Sequence, residues 1–244
     1  MSRFYVPPEN ISEGTIHISG KEAHHILDVM RMSEGDQVVV FDGTGKEYTG
    51  FIKQADTAKG ELFVEVVRVD TPSRGTAPRV TLAQAVPKKG RMDYIVEKAT
   101  ELGVSAIIPL TSERTIVRPD ERSAGKKAQR WRAIAVEASK QCGRPDVPEV
   151  CGITPYDDVL GDIGGYDLAV IACLSEGTMP LKQVLPGALP GKVIIFIGPE
   201  GDFTPEEIEK ALQKKCRAVS LGPRVLKSDT AGLFAVSAVN YHYS

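Results

Sequence analysis

The chain changes its hydrophobic pattern once, and this change most constrains what it can fold into. Up to about residue 70 the apolar residues come in short alternating runs, which are typical of β-strands with one buried face. After residues 71–78, a segment rich in Pro, Gly and small polar residues, buried strand-like runs alternate with helical ones. We therefore predict two domains, residues 1–72 and residues 73–244.

The first domain is predicted to be a small β-barrel with one helix. Its strands are expected over Thr15–Ile18, Asp36–Phe41, Glu47–Gln54 and Leu62–Val69. Asp-Gly-Thr-Gly at 42–45 predicts a hairpin between two of these strands. Ser19 and Glu22 have the spacing of a capping box, so a helix is expected to begin there. Its apolar face is expected to carry Ile26, Val29 and Met30.

The second domain is predicted to be an α/β domain around a mostly parallel sheet, because strands and helices alternate along it. Strands are expected over Val80–Val86, Val104–Leu110, Leu168–Cys173, Val193–Ile197 and Ala218–Leu221. Helices are expected over Met92–Leu102, over Arg130–Gln141, from Thr204 onward and over Asp229–Tyr241. Thr204 and Glu207 form a capping-box pattern, which we assign to structure rather than to chemistry.

Several classes of protein and of site are disfavoured by the composition. No uncharged apolar run reaches about 18 residues, so no membrane span is predicted. The segment MSRFYVPPEN lacks an apolar signal core, and a cytoplasmic location is expected. The four cysteines have no C-x-x-C spacing, which argues against a zinc site or a disulfide framework. His24 and His25 are neighbours on a helix and cannot chelate one metal together, so no metal is expected.

Charge is distributed unevenly along the chain. Residues 1–72 carry 7 basic and 12 acidic side chains, a net charge of −5, whereas residues 74–144 carry 15 basic and 7 acidic, a net charge of +8. This excess indicates either a surface for a polyanion such as RNA or an ordinary solvated face. The basic residues concerned are Lys88, Lys89, Arg91, Arg114, Arg118, Arg122, Lys126, Lys127, Arg130, Arg132 and Arg144.

Two loops rich in Gly and Pro follow predicted strands, Gly198–Asp202 and Gly222–Arg224. Ligands of open α/β sheets bind beyond the carboxyl ends of strands, so these loops are either a binding site or tight turns. Neither loop is G-x-G-x-x-G, and the chain has no G-x-x-x-x-G-K-[ST] or G-x-S-x-G motif. A dinucleotide enzyme, a P-loop ATPase and a Ser/His/Asp hydrolase are therefore disfavoured.

Several blocks of residues occur in an order along the chain that is typical of one protein family. They lie at His25–Met32, Phe41–Gly43, Lys98–Val104, Pro109–Arg114, Gln141–Arg144 with Val147–Pro148, Ile197–Gly201 and Leu221–Leu226. Each block is weakly specific, and the ordered set is highly specific. Through this set the sequence resembles the RsmE-type 16S rRNA (uridine-N3)-methyltransferases of the SPOUT superfamily over almost its full length.

The resemblance implies a PUA-like barrel at 1–72 and a SPOUT α/β domain with a C-terminal trefoil knot at 73–244. It also implies S-adenosylmethionine as cofactor, 16S rRNA of the small ribosomal subunit as substrate, and a homodimer. The cofactor-binding residues implied are Leu174, Gly198, Pro199, Glu200, Gly201, Leu221, Gly222, Pro223 and Leu226. The apolar face of the last helix, with Leu233, Phe234, Val236 and Val239, is expected to serve either the dimer or the core.

Methylation of uridine N3 requires that its proton be lost, and two residues are predicted to be catalytic. Asp229 is expected to accept the proton, directly or through water, and Lys227 to stabilise charge on the uracil oxygens. The alternative for Ser228 and Asp229 is an N-cap of the last helix. RNA contacts are predicted for Arg3, Arg31, Lys88, Lys89, Arg91, Arg114, Arg144 and Arg224.

Two positions depart from the family pattern. Lys227 replaces an Arg, which removes a planar bidentate donor, and Asp202 stands where a second Gly is usual. The altered stretch 227–229 keeps two alternatives open: methylation of another RNA site, or a non-catalytic RNA-binding factor in ribosome assembly.

Overall fold

The computed structural model of the protein describes residues 3–72, 77–117 and 120–244. Residues 73–76 of the predicted linker and Arg118 of the basic set lie outside the described residues. Tertiary contacts divide the chain into a first unit, Met1–Ser73 with Ser139–Val147, and a second unit, Arg74–Ala138 with Pro148–Ser244.

Six strands form one mixed sheet in the first unit. They are Arg3–Tyr5 (β1), Ile11–Ser12 (β2), Thr15–Ser19 (β3), Gln37–Phe41 (β4), Glu47–Asp56 (β5) and Glu61–Asp70 (β6). Their order is β1-β4-β5-β6-β3-β2, with β1 parallel to β4 and the other pairs antiparallel. Within the described residues the six strands form one continuous ladder, and no ladder joins β1 to β2.

The predicted hairpin at residues 42–45 is confirmed. It joins β4 to β5, and the Asp42 carboxylate accepts hydrogen bonds from the Thr44 amide at 2.8 Å and the Tyr48 hydroxyl at 3.0 Å. The strands alternate buried and exposed residues as their pattern predicts. Their inward residues form the core of the unit, which includes Phe4, Ile16, Ile18, Val38, Val40, Leu62 and Val64.

The helix predicted after Ser19 is present but differs in detail. It runs over Gly20–His24 (α1) and continues as a π-helical turn over His25–Val29. The predicted capping box is wrong, because the Ser19 side chain makes no capping hydrogen bond to the described residues. Ile26 is buried as predicted and Leu27 is buried with it, whereas Val29 and Met30 are exposed, contrary to the expected apolar face.

The strand pairs described in the second unit are parallel, in agreement with the predicted mostly parallel sheet. The strands are Arg79–Ala85 (β7), Ala106–Thr111 (β8), Glu149–Val150 (β9), Thr154–Pro155 (β10), Leu168–Ala172 (β11), Met179–Pro180 (β12), Lys192–Ile197 (β13) and Arg217–Ser220 (β14). The sheet order is β10-β8-β7-β13-β11-β14-β12, and β9 pairs with β8. Strands β7 and β13 are buried almost throughout, which explains their continuous apolar runs.

Helices cover the sheet of the second unit. They are Met92–Glu101 (α2), Glu121–Cys142 (α3), Tyr156–Gly161 (α4), Leu181–Val184 (α5), Pro205–Gln213 (α6) and Ser228–His242 (α7). Helix α3 begins earlier than the predicted Arg130. The sequence pattern missed its first turns because they are polar and exposed and carry no apolar period. The capping box of Thr204 and Glu207 is confirmed at the start of α6.

Helix α7 packs against β7, β13 and α2. Val236 and Val239 are buried within this unit, so these two residues serve the core, whereas Phe234 is exposed. In the described part of the chain, no helix combines the length and the apolar character that a membrane crossing requires.

Candidate functional site

A cavity of about 270 Å³ lies at the carboxyl ends of β11, β13 and β14. Its walls come from the loops that follow these strands and from the first turn of α7. Seven of the predicted cofactor-binding residues line it: Leu174, Gly198, Pro199, Glu200, Leu221, Gly222 and Leu226. The other lining residues are Ala172, Cys173, Ile197, Asp202, Val219, Ser220, Arg224, Val225, Lys227, Ser228 and Ala231.

The two remaining predicted cofactor residues, Gly201 and Pro223, are not among the lining residues. They belong to the same loops, and the Gly201 carbonyl accepts a hydrogen bond from the Arg114 guanidinium at 2.7 Å. Arg114 also donates to the Phe203 carbonyl at 3.4 Å. Arg114 was predicted to contact RNA, and the structure places its guanidinium on the backbone of the loop after β13.

A buried chain of hydrogen bonds joins the cavity to the centre of the sheet. The Ser228 hydroxyl donates to the Gly198 carbonyl at 2.6 Å, and the Gln84 side-chain amide donates to the Ser228 oxygen at 2.8 Å. Gln84 is fully buried at the end of β7, and its Oε1 has no hydrogen-bond partner within the described part of the chain. These contacts attach the loop after β13 to the start of α7.

Asp202 connects two of the cavity loops. One carboxylate oxygen accepts a hydrogen bond from the Leu174 amide at 2.9 Å, and the other accepts one from the Phe203 amide at 2.8 Å. The third loop is held locally, since the Gly222 amide donates to the Ser220 hydroxyl at 3.3 Å and Gly222 has a φ of +128°. Few residues other than glycine adopt that conformation.

The predicted catalytic residues stand at the start of α7. Lys227 lines the cavity as the N-cap residue, and its side chain makes no capping hydrogen bond to the described residues. Ser228 is the first helical residue, and its hydroxyl bonds to Gly198 instead of capping the helix. The N-cap alternative for Ser228 is therefore wrong. Asp229 follows, forms an ion pair with Arg91, and accepts a hydrogen bond from the Thr230 amide at 2.9 Å.

The charge on Asp229 is stabilised by its neighbours. Burial by itself raises the pKa of this carboxyl, but the hydrogen bond from Arg91 and the bond from the Thr230 amide outweigh burial. The pKa of Asp229 therefore lies below its ordinary value. The carboxylate is ionised at neutral pH and is held in place by Arg91.

Other basic residues of the set lie around the same cavity. The Lys88 backbone amide donates to the Glu200 carboxylate at 3.0 Å, so the loop after β7 contacts the loop after β13. Lys89 follows in this loop with a φ of +59°, and its side chain is exposed. Arg224 lines the cavity from the loop after β14. The second unit thus brings several predicted RNA-binding residues to the strand ends that carry the cavity.

Three predicted RNA-binding residues belong to the first unit. Arg3 pairs with Glu47 and lies 5.8 Å from the centre of the Phe41 ring. Arg144 pairs with Asp146 at 2.7 Å, and Arg31 is exposed at the end of the π turn with a φ of +55°. The charges of Arg3 and Arg144 are thus partly satisfied within the protein.

The histidines and cysteines show no arrangement for metal binding in the described residues. His24 pairs with Asp28 at 2.7 Å, and His25 packs its ring edge-on against Phe4. All four cysteines are free thiols. Burial raises the pKa of the Cys173 thiol at the cavity wall, which keeps it protonated and unreactive.

A second depression, of about 600 Å³, lies beside β8, β10 and α6, and charged side chains line it. Lys210 pairs there with Asp157 at 2.9 Å, and Glu207 accepts the capping hydrogen bond of Thr204. None of the predicted site residues lines it.

Sequence reasoning missed the support of the cavity. Gln84 was not singled out, Ser228 was considered only as a helix cap, and Asp202 was noted only as a departure from a pattern. For Ser228, the signal was its place directly before Asp229. For Gln84, the signal was a polar residue inside an otherwise apolar strand.

Two family models match the chain. A family model for an RNA methyltransferase domain matches residues 75–240, which is more than half of the chain. The chain belongs to the RNA methyltransferase family. A second family model, for an RNA methyltransferase PUA domain, matches residues 18–66. The resemblance to the ribosomal RNA small-subunit methyltransferases is therefore confirmed at the level of the family.

Individual members of the RNA methyltransferase family match nearly the whole chain. Ribosomal RNA small subunit methyltransferase E of Bacillus subtilis is 32% identical over an alignment of 249 positions, gaps included, which covers 99% of this chain and 96% of that protein. The same-named enzyme of Neisseria gonorrhoeae, solved bound to S-adenosyl methionine, is 33% identical with a TM-score of 0.86, and the match covers 99% and 97% of the two chains. A putative methyltransferase of Legionella pneumophila, solved with the bound cofactor SAM, is 32% identical with a TM-score of 0.86 and coverage of 98% and 96%.

Proposed function

We propose that the protein transfers a methyl group from S-adenosylmethionine to N3 of a uridine in 16S rRNA of the small ribosomal subunit. One observation carries the proposal: seven predicted cofactor residues from three separate loops line a single cavity, and Lys227, which directly precedes Ser228 and Asp229 in the sequence, lines it as well. The names of the relatives support an rRNA substrate, and two similar structures hold this cofactor.

The lining of the cavity fits S-adenosylmethionine. Apolar side chains from strand ends and loops, including Leu174, Ile197 and Leu226, suit the flat adenine ring. Backbone groups of the glycine-rich loops suit its ring nitrogens and the ribose hydroxyls. The carboxylate of Glu200 offers a complementary charge to the ammonium group of its amino-acid end.

S-adenosylmethionine supplies an electrophilic methyl group whose sulfonium leaves as a neutral thioether. The protein must then hold the uridine and remove its N3 proton. Asp229 accepts that proton, directly or through a water molecule, because it is ionised at neutral pH. Lys227 stabilises the negative charge that develops on the uracil oxygens.

Arg91 positions Asp229 for this role. Its ion pair holds the carboxylate at the start of α7, beside Ser228 of the cavity wall. A fixed carboxylate needs little reorganisation when the proton moves, which is the main benefit of a pre-arranged polar site. Arg91 thus links the loop after β7 to the catalytic residues.

The RNA is bound by basic residues of both units. Lys88, Lys89, Arg91, Arg114 and Arg224 of the second unit are proposed to contact the target region. Arg3, Arg31 and Arg144 of the first unit, which contains the matched PUA segment, are proposed to contact neighbouring phosphates.

The finer architecture is part of the same proposal. We propose domains at 1–72 and 73–244, a homodimer, a cytoplasmic location and a C-terminal trefoil knot. Exposed Phe234 and Tyr241 on α7 support the dimer. The path of the chain supports the knot. Strand β14 pairs with β11, and the chain that follows it returns across the sheet, where α7 packs against β7 and β13.

The deciding experiment is transfer of a labelled methyl group from S-adenosylmethionine to 30S subunits that lack the modification, followed by mass spectrometry of the nucleosides. We expect N3-methyluridine in 16S rRNA. Another methylated nucleoside would overturn the proposed target and favour a different RNA site. Cofactor binding without transfer to 30S subunits or to naked 16S rRNA would favour a non-catalytic assembly factor.

A further inference from the structure

Asp202 holds together two loops of the cavity that lie in different parts of the sequence. Its Oδ2 accepts a hydrogen bond from the Leu174 amide at 2.9 Å, across 28 residues of sequence, and its Oδ1 accepts one from the Phe203 amide at 2.8 Å. Both Asp202 and Leu174 line the cavity. One carboxylate therefore attaches the loop after β11 to the loop after β13.

The backbone at Asp202 is in a conformation that favours glycine. Its φ is +60°, in the left-handed region, which glycine adopts freely and which every other residue adopts at a cost, smallest for Asn and Asp. Glycine would occupy this position without strain. When a residue other than glycine adopts this conformation, contacts of its side chain commonly hold it there. At Asp202 both carboxylate oxygens accept hydrogen bonds.

We propose that Asp202 is a positioning residue that fixes the edge of the cofactor cavity by clamping the Leu174 backbone to the loop after β13. The inference rests on the proposed role of the cavity in binding S-adenosylmethionine. Leu174 itself is exposed at the cavity edge, so its position depends strongly on bonds of its backbone.

The chemistry of the clamp requires a carboxylate. Two oxygens accept from two amides, whereas an asparagine side chain offers one acceptor oxygen and turns an NH₂ group toward the other amide. Asp202→Gly removes both acceptors and relieves the backbone strain. Asp202→Asn keeps the shape and tolerates the left-handed conformation, but it retains only one of the two hydrogen bonds.

The test combines amide hydrogen exchange at Leu174 in the cofactor-free protein with calorimetric affinity for S-adenosylmethionine. For Asp202→Gly we expect exchange at Leu174 to accelerate about tenfold and the affinity to fall about threefold to tenfold, which is the usual effect of losing one intramolecular hydrogen bond. The melting temperature should stay within about 3 °C, since relief of strain offsets the greater freedom of the unfolded chain. Asp202→Asn should lie between this variant and the wild type.

Lys215→Gly is the matched control. Lys215 also has a left-handed backbone, with a φ of +68°, is exposed after α6 and does not line the cavity. Its replacement relieves comparable strain and should change neither exchange at Leu174 nor cofactor affinity. If glycine acted only by making the backbone more flexible, Lys215→Gly would change exchange at Leu174 and cofactor affinity as Asp202→Gly does.

A cavity-filling variant, Leu226→Trp, separates the two levels of the argument. The clamp is overturned if Asp202→Gly leaves exchange at Leu174 unchanged, or if it accelerates exchange without weakening cofactor binding. In either case, loss of cofactor binding in Leu226→Trp means that the cavity assignment stands. If both variants bind the cofactor as the wild type does, the cavity is not the cofactor site and both proposals fail. Loss of affinity in both variants, with the wild-type melting temperature in Asp202→Gly, supports the clamp.

Discussion

The Ser228 hydroxyl lies 2.6 Å from the carbonyl oxygen of Gly198 and donates a hydrogen bond to it in a buried position. This bond attaches the first turn of α7, which begins beside the proposed catalytic residues, to the loop after β13. The Gln84 amide, which donates to the same hydroxyl at 2.8 Å, extends the connection to the central strand β7.

Replacing Ser228 with Ala should lower the free energy of unfolding by about 1–3 kcal/mol, because the Gly198 carbonyl and the Gln84 amide each lose a buried partner. Urea denaturation measures this change. Ser228→Thr keeps the hydroxyl and should recover most of the loss, and Ser237→Ala on the same helix should have a small effect. A midpoint for Ser228→Ala equal to that of the wild type would contradict the buried connection.

Gly232 and Gly125 should respond to Ala with opposite signs. A Cβ at Gly232 would lie 2.5 Å from Gln84 Oε1, so Gly232→Ala should destabilise the fold by about 1–3 kcal/mol through overpacking. At Gly125, in the exposed part of α3, a Cβ would meet no atom of the described residues within 4 Å. Gly125→Ala should therefore stabilise by about 0.5–1 kcal/mol through helix propensity. Thermal unfolding of the two variants in parallel tests both signs.

Removing Arg91 should raise the pKa of Asp229. The pKa is lowered in the folded protein, so the ion pair stabilises the fold above the ordinary carboxyl pKa and loses this effect as the pH falls through the lowered value. In Arg91→Gln, burial dominates and the carboxyl protonates at higher pH. Carbon-detected NMR titration of Asp229 measures the shift. An unchanged or lower pKa in the variant would show that Arg91 does not hold the charge.

Asp229→Asn should lower methyl transfer about 10²-fold to 10⁴-fold while cofactor affinity stays at the wild-type value, because only the proton acceptor is removed. Single-turnover assays with saturating cofactor measure the chemical step. Asp158→Asn changes an exposed acidic residue of α4 and should be silent. Full activity in Asp229→Asn would remove this residue from the mechanism.

Arg114→Ala separates two roles of one guanidinium. A lost phosphate contact should reduce the slope of log affinity against log salt by about 0.7–0.9 in RNA-binding titrations. Loss of the bond to the Gly201 carbonyl should independently weaken cofactor binding. Lys182→Ala on α5 is the control for general loss of charge. A salt slope equal to that of the wild type, with weaker cofactor binding, would leave Arg114 as support for the loop only.

Sequence patterns predicted those elements whose residues repeat regularly. Strands β7, β11 and β13 are long apolar runs, and the capping box at Thr204 is a local rule. Strands β9, β10 and β12 have two residues each and carry no period that a pattern could detect. The π turn after α1 was also missed, because one extra residue in a helical turn shifts which side chains face the core.

The cavity was predictable in outline because glycine and proline mark loops at strand ends. Its internal supports were not. Gln84 bonds to Ser228 across 144 residues, and Leu174 bonds to Asp202 across 28, so the partners share no local pattern. Which polar groups meet at such distances is decided by the packing of α7 and the order of the strands.

The bond between Gln84 and Ser228 also constrains how the protein matures. A ribosome adding about 5–20 residues per second needs roughly 7–30 s to make the 144 residues that separate donor from acceptor. During that time the amide of Gln84 must find water or a substitute partner. The nascent chain therefore cannot complete the wall of the proposed cofactor cavity while it is being made, and completes it only after the start of the last helix has left the exit tunnel.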